Sequence, residues 1–306
     1  MLFTGVILLI LQGIFWMLEG CIDSYAARKN ASVTRIFFLA AIMMVVLGAI
    51  LFPFQKQLPD LENPTTCAMI AVLIANGVFA YLANYYLFVA MSRGPNGIIW
   101  AFYQAAMLFP FTLGILVHGD EATACRIAGI TMLTAGLLAF GIGGDKKGNS
   151  QVQTGKGKWF WLIPTLASLI TNGLSQYTNT IPSRYEEILP QLTDVTRSTL
   201  VYIGLALGCL VHAAFQKDLR EFPTRKEFQL GILTGLLCIV GYYFLIFKGC
   251  DLLTKVGAGA IVYPIPVGVC VISFTAYSIL HLHEKYTLLE WIGMLFCSAG
   301  VIVIIL

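Results

Sequence analysis

The sequence predicts an all-α integral membrane protein, with ten transmembrane helices arranged as two inverted five-helix repeats. Three observations lead there. The chain of 306 residues is 58% hydrophobic and only 11% charged, with a mean hydropathy of +0.80, whereas a soluble domain carries roughly 25% charge. Apolar stretches long enough to cross a bilayer as helices recur along the whole chain, separated by short polar breaks. The second half repeats motifs of the first half in the same order. A net charge of +3 spread over many short loops says nothing of nucleic acid, no basic run suggests it, and no nucleic-acid partner is expected. The eight cysteines are scattered and form no C-x-x-C pair. They read as small hydrophobes, not as a disulfide frame or a metal site, and no cofactor is expected.

The expected spans are 2–25, 36–54, 67–91, 96–117, 123–142, 159–179, 196–215, 228–247, 256–280 and 288–306. The first ends in Glu19-Gly20-Cys21-Ile22-Asp23 and not at a small-residue cleavage site, so it is expected to be a retained span. Punctuation falls between the spans: Arg28-Lys29-Asn30, the stretch from Pro53 to Pro64, Arg93-Gly94-Pro95, Gly119-Asp120-Glu121 and the stretch from Lys217 to Lys226. The longest polar link, 144–158, divides the chain into a first five-helix repeat, 1–143, and a second, 159–306.

The fourth span carries the most chemistry. Residues 94–119 contain no Asp, Glu, Lys or Arg. Trp100, Tyr103 and Gln104 recur at i, i+3 and i+4, so they share one helix face. An amide between two rings is costly against lipid, and this face is expected to look into a cavity. Pro110, half-way down, frees a carbonyl and bends the helix.

Motifs recur between the halves. Asn84-Tyr85-Tyr86-Leu87 in span three matches Gly241-Tyr242-Tyr243-Phe244 in span eight. His118-Gly119-Asp120-Glu121 followed by Gly129 and Gly136 matches His281-Leu282-His283-Glu284 followed by Gly293 and Gly300. Five spans per half force the two copies into opposite orientations, which builds a site at the membrane midplane and gives alternating access by rocking. The seven-residue glycine spacing makes small faces for close helix packing. These helices read as structural, peripheral ones in a monomer, with a dimer contact as the alternative.

The end of each half resembles the drug/metabolite transporter superfamily, which includes the EamA-type permeases. The resemblance rests on an acidic turn followed by a glycine-spaced last helix, here from Glu284 through Gly293 to Gly300. Pro95-Asn96-Gly97-Ile98, followed by Trp100 and Tyr103, is similar to the helix that lines the substrate cavity in the single-repeat small multidrug transporters. The resemblance implies that Trp100, Tyr103 and Gln104 line a cavity. Tyr263-Pro264-Ile265-Pro266 stands at the equivalent place in the second half and implies a bent helix.

Span one carries Glu19 and Asp23, one turn apart on one face, with Trp16 just before them. They are the two carboxylates expected inside a span. Charge is disfavoured there, and more so for two acids together. Such a pair loads and releases a proton or holds a cationic substrate. Small multidrug transporters use a first-span glutamate for both, which implies the same role for Glu19. The alternative puts both acids at the interface beside Arg28 and Lys29. Span six answers with a stripe of Asn172, Ser175, Gln176 and Asn179, suited to a neutral, hydroxyl-rich or zwitterionic ligand. Asn76 and Asn84 join this cavity or bridge helices.

Most of the 19 lysines and arginines fall in the loops after the odd-numbered spans. Positive-inside then puts those loops in the cytoplasm and both termini outside. The sugar-transporting branch of the superfamily, of which the L-rhamnose–proton symporter is an example, is similar in its basic odd loops and polar first and sixth spans.

These observations converge on a secondary transporter in a bacterial inner membrane. It moves a small polar metabolite, sugar-like or zwitterionic, by alternating access, with protons as the coupling ion through Glu19. The expected site is Trp16, Glu19, Asp23, Trp100, Tyr103, Gln104, Asn172, Gln176, Asn179 and Tyr263. No G-x-x-x-x-G-K-[ST] motif is present, which argues against ATP coupling within the chain. A multidrug or amino-acid exporter on the same fold is the alternative. A flippase for a lipid-linked head group is another. An intramembrane enzyme using His281, His283 and Glu284 is the remote one, because no third ligand is spaced to join them.

Overall fold

The computed structural model describes residues 1–29, 31–55, 57–91, 93, 96–145, 160–215, 222–281 and 286–306, and among them every regular element is helical. The helices are α1 (Leu2–Arg28), α2 (Val33–Leu51), α3 (Pro64–Met91), α4 (Asn96–Gln104), α5 (Leu108–His118), α6 (Ala124–Asp145), α7 (Leu162–Thr180), α8 (Asp194–Phe215), α9 (Arg225–Val240), α10 (Phe247–Thr254), α11 (Pro264–His281) and α12 (Leu288–Ile305). Most of the 144–158 linker, together with Gly94, Pro95, His283 and Glu284, lies outside the described residues.

A helix stands at each of the ten expected places, and among the described residues eight segments are long and apolar enough to cross a membrane. They are Leu2–Asp23, Val33–Phe54, Pro64–Met91, Ile99–His118, Asp194–Phe215, Arg225–Thr254, Gly259–Tyr277 and Leu288–Ile305. Helix α6 is apolar over Ala124–Ala139 and continues to Asp145. Helix α7 carries the amide stripe, and its buried set includes Thr165, Ser168, Asn172, Gln176, Asn179 and Thr180. Its polar face is turned to protein, which lowers its hydropathy without exposing polar groups to lipid. Outward faces elsewhere carry exposed apolar residues, among them Leu11, Ile14 and Leu18 on α1 and Leu295 and Ile302 on α12.

Local chemistry sets several boundaries. Thr224 and Thr287 each form a capping box, with Glu227 and Glu290 in the first turns of α9 and α12. Gly119 ends α5 in the left-handed region at φ 69°, where a side chain would be strained. Pro110 offers no N–H to the preceding turn. The chain takes this up as a 3₁₀ turn over Ala105–Met107, where Leu108 N bonds to the Ala105 and Ala106 carbonyls. In the second half the paired prolines fall elsewhere. A 3₁₀ turn covers Gly259–Ile261 and α11 begins at Pro264, so the expected bend is a helix start, where missing N–H groups cost nothing.

Helix α1 packs on α11 and on the segment from α9 to α10. Helix α2 packs on α8 and α9, and α3 on α7 and α8. Helix α4 packs on α6, α5 on α7, α11 on α12, and α6 runs along α12. The α3–α8 crossing is very close: a Cβ at Gly77 would collide with the Val201 carbonyl, and one at Gly204 with the Ile74 carbonyl. The glycine faces expected at the periphery pack on each other within the chain. A Cβ at Gly300 would lie 2.9 Å from the Gly129 carbonyl, and one at Gly136 would lie 2.7 Å from the Gly293 carbonyl.

One expectation about charge is corrected. The helix expected to end at 247 continues through α10 and brings Asp251 within the segment Arg225–Thr254, so Glu19 and Asp23 are not the sole acids in spans. Asp251 is held by Arg197 of α8, through bonds of 2.9 and 2.6 Å, and Arg197 also donates to Asp194 at 2.7 Å and Ser183 at 3.1 Å. This arginine is 1% exposed, and a buried charge so deep is tolerated when it is paired and hydrogen-bonded.

Candidate functional site

A cavity of about 130 Å³ opens between α1, α3, α4, α7, α8, α9 and α11, and all ten residues expected from the sequence line it. Helix α1 supplies Trp16, Glu19 and Asp23. Helix α4 supplies Trp100, Tyr103 and Gln104, and α7 supplies Asn172, Gln176 and Asn179. Tyr263 comes from the turn before α11. The three-residue and four-residue spacings noted in the sequence work because each stripe lies on one helix face.

Part of the cavity wall is tied by hydrogen bonds across three elements, with a fourth stacked on them. Asn76 of α3 donates to the Ser175 carbonyl at 2.9 Å and to Asn179 Oδ1 at 3.0 Å. Ser175 donates back to Asn76 Oδ1 at 3.1 Å. Asn179 in turn donates to the Tyr263 hydroxyl at 2.7 Å, and the Tyr263 ring stacks on Trp16 with centroids 5.8 Å apart. Asn76, Asn179 and Tyr263 are buried, whereas Glu19, Asp23, Asn84, Trp100 and Tyr103 are half-buried. Asn76 therefore both bridges helices and lines the cavity, the two roles left open by the sequence.

The rings of α4 are arranged likewise. Trp100 and Tyr103 stack at 5.6 Å, and Tyr103 donates to Asn84 Oδ1 at 3.3 Å. Asn172 donates to the Tyr103 carbonyl at 2.9 Å. That carbonyl lies just ahead of the 3₁₀ turn, so the irregular backbone is covered where it faces the cavity.

Glu19 accepts one long contact from the Cys238 thiol, 3.5 Å. Among the described residues neither Glu19 nor Asp23 forms an ion pair, and no lysine, arginine or histidine lines the cavity. Lys29 instead lies over the Tyr25 ring at 6.0 Å. The Arg28 side chain lies outside the described residues. Two carboxylates without a counter-charge, beside aromatic faces, are chemically able to take up protons or to accept bonds from a ligand.

Several contributors were not legible beforehand. Cys238, Cys270, Thr234, Tyr202 and Tyr242 also line the cavity. Between α9 and α10 the residues Gly241–Ile246 form a π-helix, which widens the turn and frees backbone groups. Gln12, fully buried, donates to the Gly241 carbonyl at 2.9 Å and accepts from the Trp16 indole nitrogen at 2.9 Å. The wide turn also splits the paired tyrosines. Tyr242 lines the cavity, and Tyr243 donates to the Met44 carbonyl at 2.7 Å on the other side. The repeated Tyr-Tyr pair was a visible signal, but the π-turn that sets its register was not.

Arg184 grips Asp120 through two bonds of 2.8 Å. Arg126 donates to the Glu121 carbonyl at 2.8 Å and to the Gly257 carbonyl at 3.1 Å. The acidic turn after α5 is thus fastened to the segments after α7 and α10.

Residues 186–306 match the model of the EamA-like transporter family. That family belongs to the drug/metabolite transporter superfamily. The EamA-like match covers α8 to α12, and so takes in Tyr202, Thr234, Cys238, Tyr242, Tyr263 and Cys270 of the cavity wall. A protein of known crystal structure superposes with a TM-score of 0.68, over 98% of this chain and 97% of its own, at 14% identity. At that identity the likeness shows a shared fold. Comparison with curated proteins finds no match. The apolar helices are those of an integral membrane protein, and over residues 186–306 the chain is similar to a family of transporters.

Proposed function

We propose that the protein is a secondary transporter that carries a small polar metabolite through this cavity by alternating access, coupled to protons through Glu19. The single observation that carries the reading is convergence. Polar and aromatic residues separated by up to 247 positions, from Trp16 to Tyr263, meet around one void inside apolar helices. Ligand sites in transporters lie at such interfaces between repeats.

Ten spans in two inverted halves, 1–143 and 159–306, are part of this proposal. Packing supports it. Exchanging each helix with its counterpart five spans on preserves the set of neighbours. The α1–α11 contact corresponds to α7 on α4 and α5, α3–α7 to α9 on α1, and α3–α8 to α9 on α2. The α6–α12 contact maps onto itself. The site contacts correspond too, since Trp16 meets Tyr263 in one half-interface and Asn172 meets Tyr103 in the other. The orientation with basic odd loops in the cytoplasm, and a bacterial inner membrane as the location, complete the reading.

The test is uptake into proteoliposomes of neutral sugars, amino acids, nucleosides and quaternary ammonium compounds, with and without a pH gradient. Gradient-driven uptake of a sugar or amino acid that is lost in Trp100→Ala and Gln104→Ala supports the reading. Efflux confined to lipophilic cations would replace it with the multidrug exporter, which the unpaired Glu19 and Asp23 favour. No movement of any class would overturn it.

A further inference from the structure

The cavity wall holds buried acceptors without donors. Each of its four asparagine nitrogens spends at least one N–H inside the protein. Asn76 donates to Ser175 and Asn179, Asn84 to the Ala80 carbonyl, Asn172 to the Tyr103 carbonyl and Asn179 to Tyr263. Accepting groups are left over. Gln176 is 7% exposed, and its Oε1 has no partner among the described residues. Thr234 Oγ1 is likewise unpartnered at 2% exposure. Among the described residues Glu19 and Asp23 are the only acidic side chains on the wall, and no basic side chain lines it.

A buried acceptor without a donor costs free energy until something supplies one. An anion entering this void would meet two carboxylates and no counter-charge, after losing its own water. A ligand rich in O–H or N–H groups would satisfy the same wall. The faces of Trp16, Tyr263, Trp100 and Tyr103 suit either an ammonium group or the C–H face of a polyol ring. We infer, resting on the transport reading above, that the substrate is a small donor-rich compound, an amine or a polyol, bearing no carboxylate or phosphate. Gln176 is a specificity-determining acceptor for it. This removes zwitterions from the substrates considered above.

The experiment is a thermal-shift titration of the detergent-purified full chain with a matched ring series: glucose, glucosamine, glucuronate and glucose 6-phosphate. Putrescine and succinate form a second pair. A ligand that binds the folded form raises its melting point by mass action. Stabilisation by glucose, glucosamine or putrescine, without response to the three anions, is the expected result. Glucosamine or putrescine alone would identify an amine, and glucose alone a polyol. Gln176→Leu should weaken the responding compound about tenfold, the worth of one lost hydrogen bond. The unliganded variant should melt no lower than the parent, because it removes an unsatisfied acceptor. Gln176→Glu keeps an acceptor and should retain binding.

A response to glucuronate, glucose 6-phosphate or succinate would overturn the inference while leaving the transport reading intact. So would Gln176→Leu that binds normally, or one that loses ligand only because the unliganded protein has become less stable. No response in either series, together with no proteoliposome uptake, would remove both.

Discussion

Asn179 of α7 donates its amide to the Tyr263 hydroxyl at 2.7 Å, and through Asn76 and Trp16 this bond joins the second half of the chain to both α3 and α1. Each partner has one job per polar atom. The Asn179 oxygen accepts from Asn76 and its nitrogen donates to Tyr263, so the amide cannot rotate without losing both. Tyr263→Phe keeps the ring stack on Trp16 and removes the acceptor. It should cost about 1–3 kcal/mol of stability, the penalty for an unsatisfied buried donor. Tyr263→Leu should cost more, since it also loses the stacking, worth about 0.5–1.5 kcal/mol. The melting temperatures of the two variants, ranked against the parent, check this.

Gln12 holds Trp16 from behind and covers the carbonyl freed by the π-helix at Gly241. Gln12→Leu leaves the indole N–H and the Gly241 carbonyl without partners in a fully buried place. The expected outcome is a loss of ligand affinity without any contact to the ligand being removed. The intrinsic fluorescence of a variant retaining Trp16 as its one tryptophan, compared with and without Gln12, should report a shifted indole environment. An unchanged spectrum would contradict the anchoring role.

The Asp120–Arg184 pair lies against Gly259, with side chains 5% and 9% exposed. Asp120→Ala strands a buried guanidinium and should cost about 3–5 kcal/mol. The double change Asp120→Leu with Arg184→Met removes both charges together and should restore most of that loss. If the pair also has to part during transport, the double variant should show a raised rate of exchange in proteoliposomes. Denaturation curves and exchange rates measured on the same preparations separate the two effects.

Glu19→Gln removes the ionisable group and keeps the shape. Gradient-driven uptake should be abolished, while substrate exchange across the membrane in the absence of a gradient persists. Uptake that survives the change intact would show that Glu19 does not couple protons.

Nine of the ten expected residues that line the cavity were legible because each group sits on one face of one helix, and helical spacing is written directly in the sequence; Tyr263 stands in the turn before α11. Trp100, Tyr103 and Gln104 are i, i+3 and i+4, and Asn172, Gln176 and Asn179 follow the same rule. Arg197 and Asp251 were not legible, since they lie 54 positions apart and both stood near expected span ends, where charges are ordinary. The π-helix was hidden as well. Gln12 meets the Gly241 carbonyl at its start, a contact that no local pattern announces.

By itself the sequence determined the membrane class, the positions of the helices and the chemistry of each face, because hydropathy and helical period act locally. Tertiary structure alone decided which faces meet. It set Gly129 against Gly300 inside the chain, and it bound Asn76 to Asn179 and Asn172 to the Tyr103 carbonyl while leaving Gln176 Oε1 without a donor among the described residues. Those outcomes depend on where two distant backbones cross, and a crossing such as Gly77 against Gly204 is fixed only when the whole bundle packs.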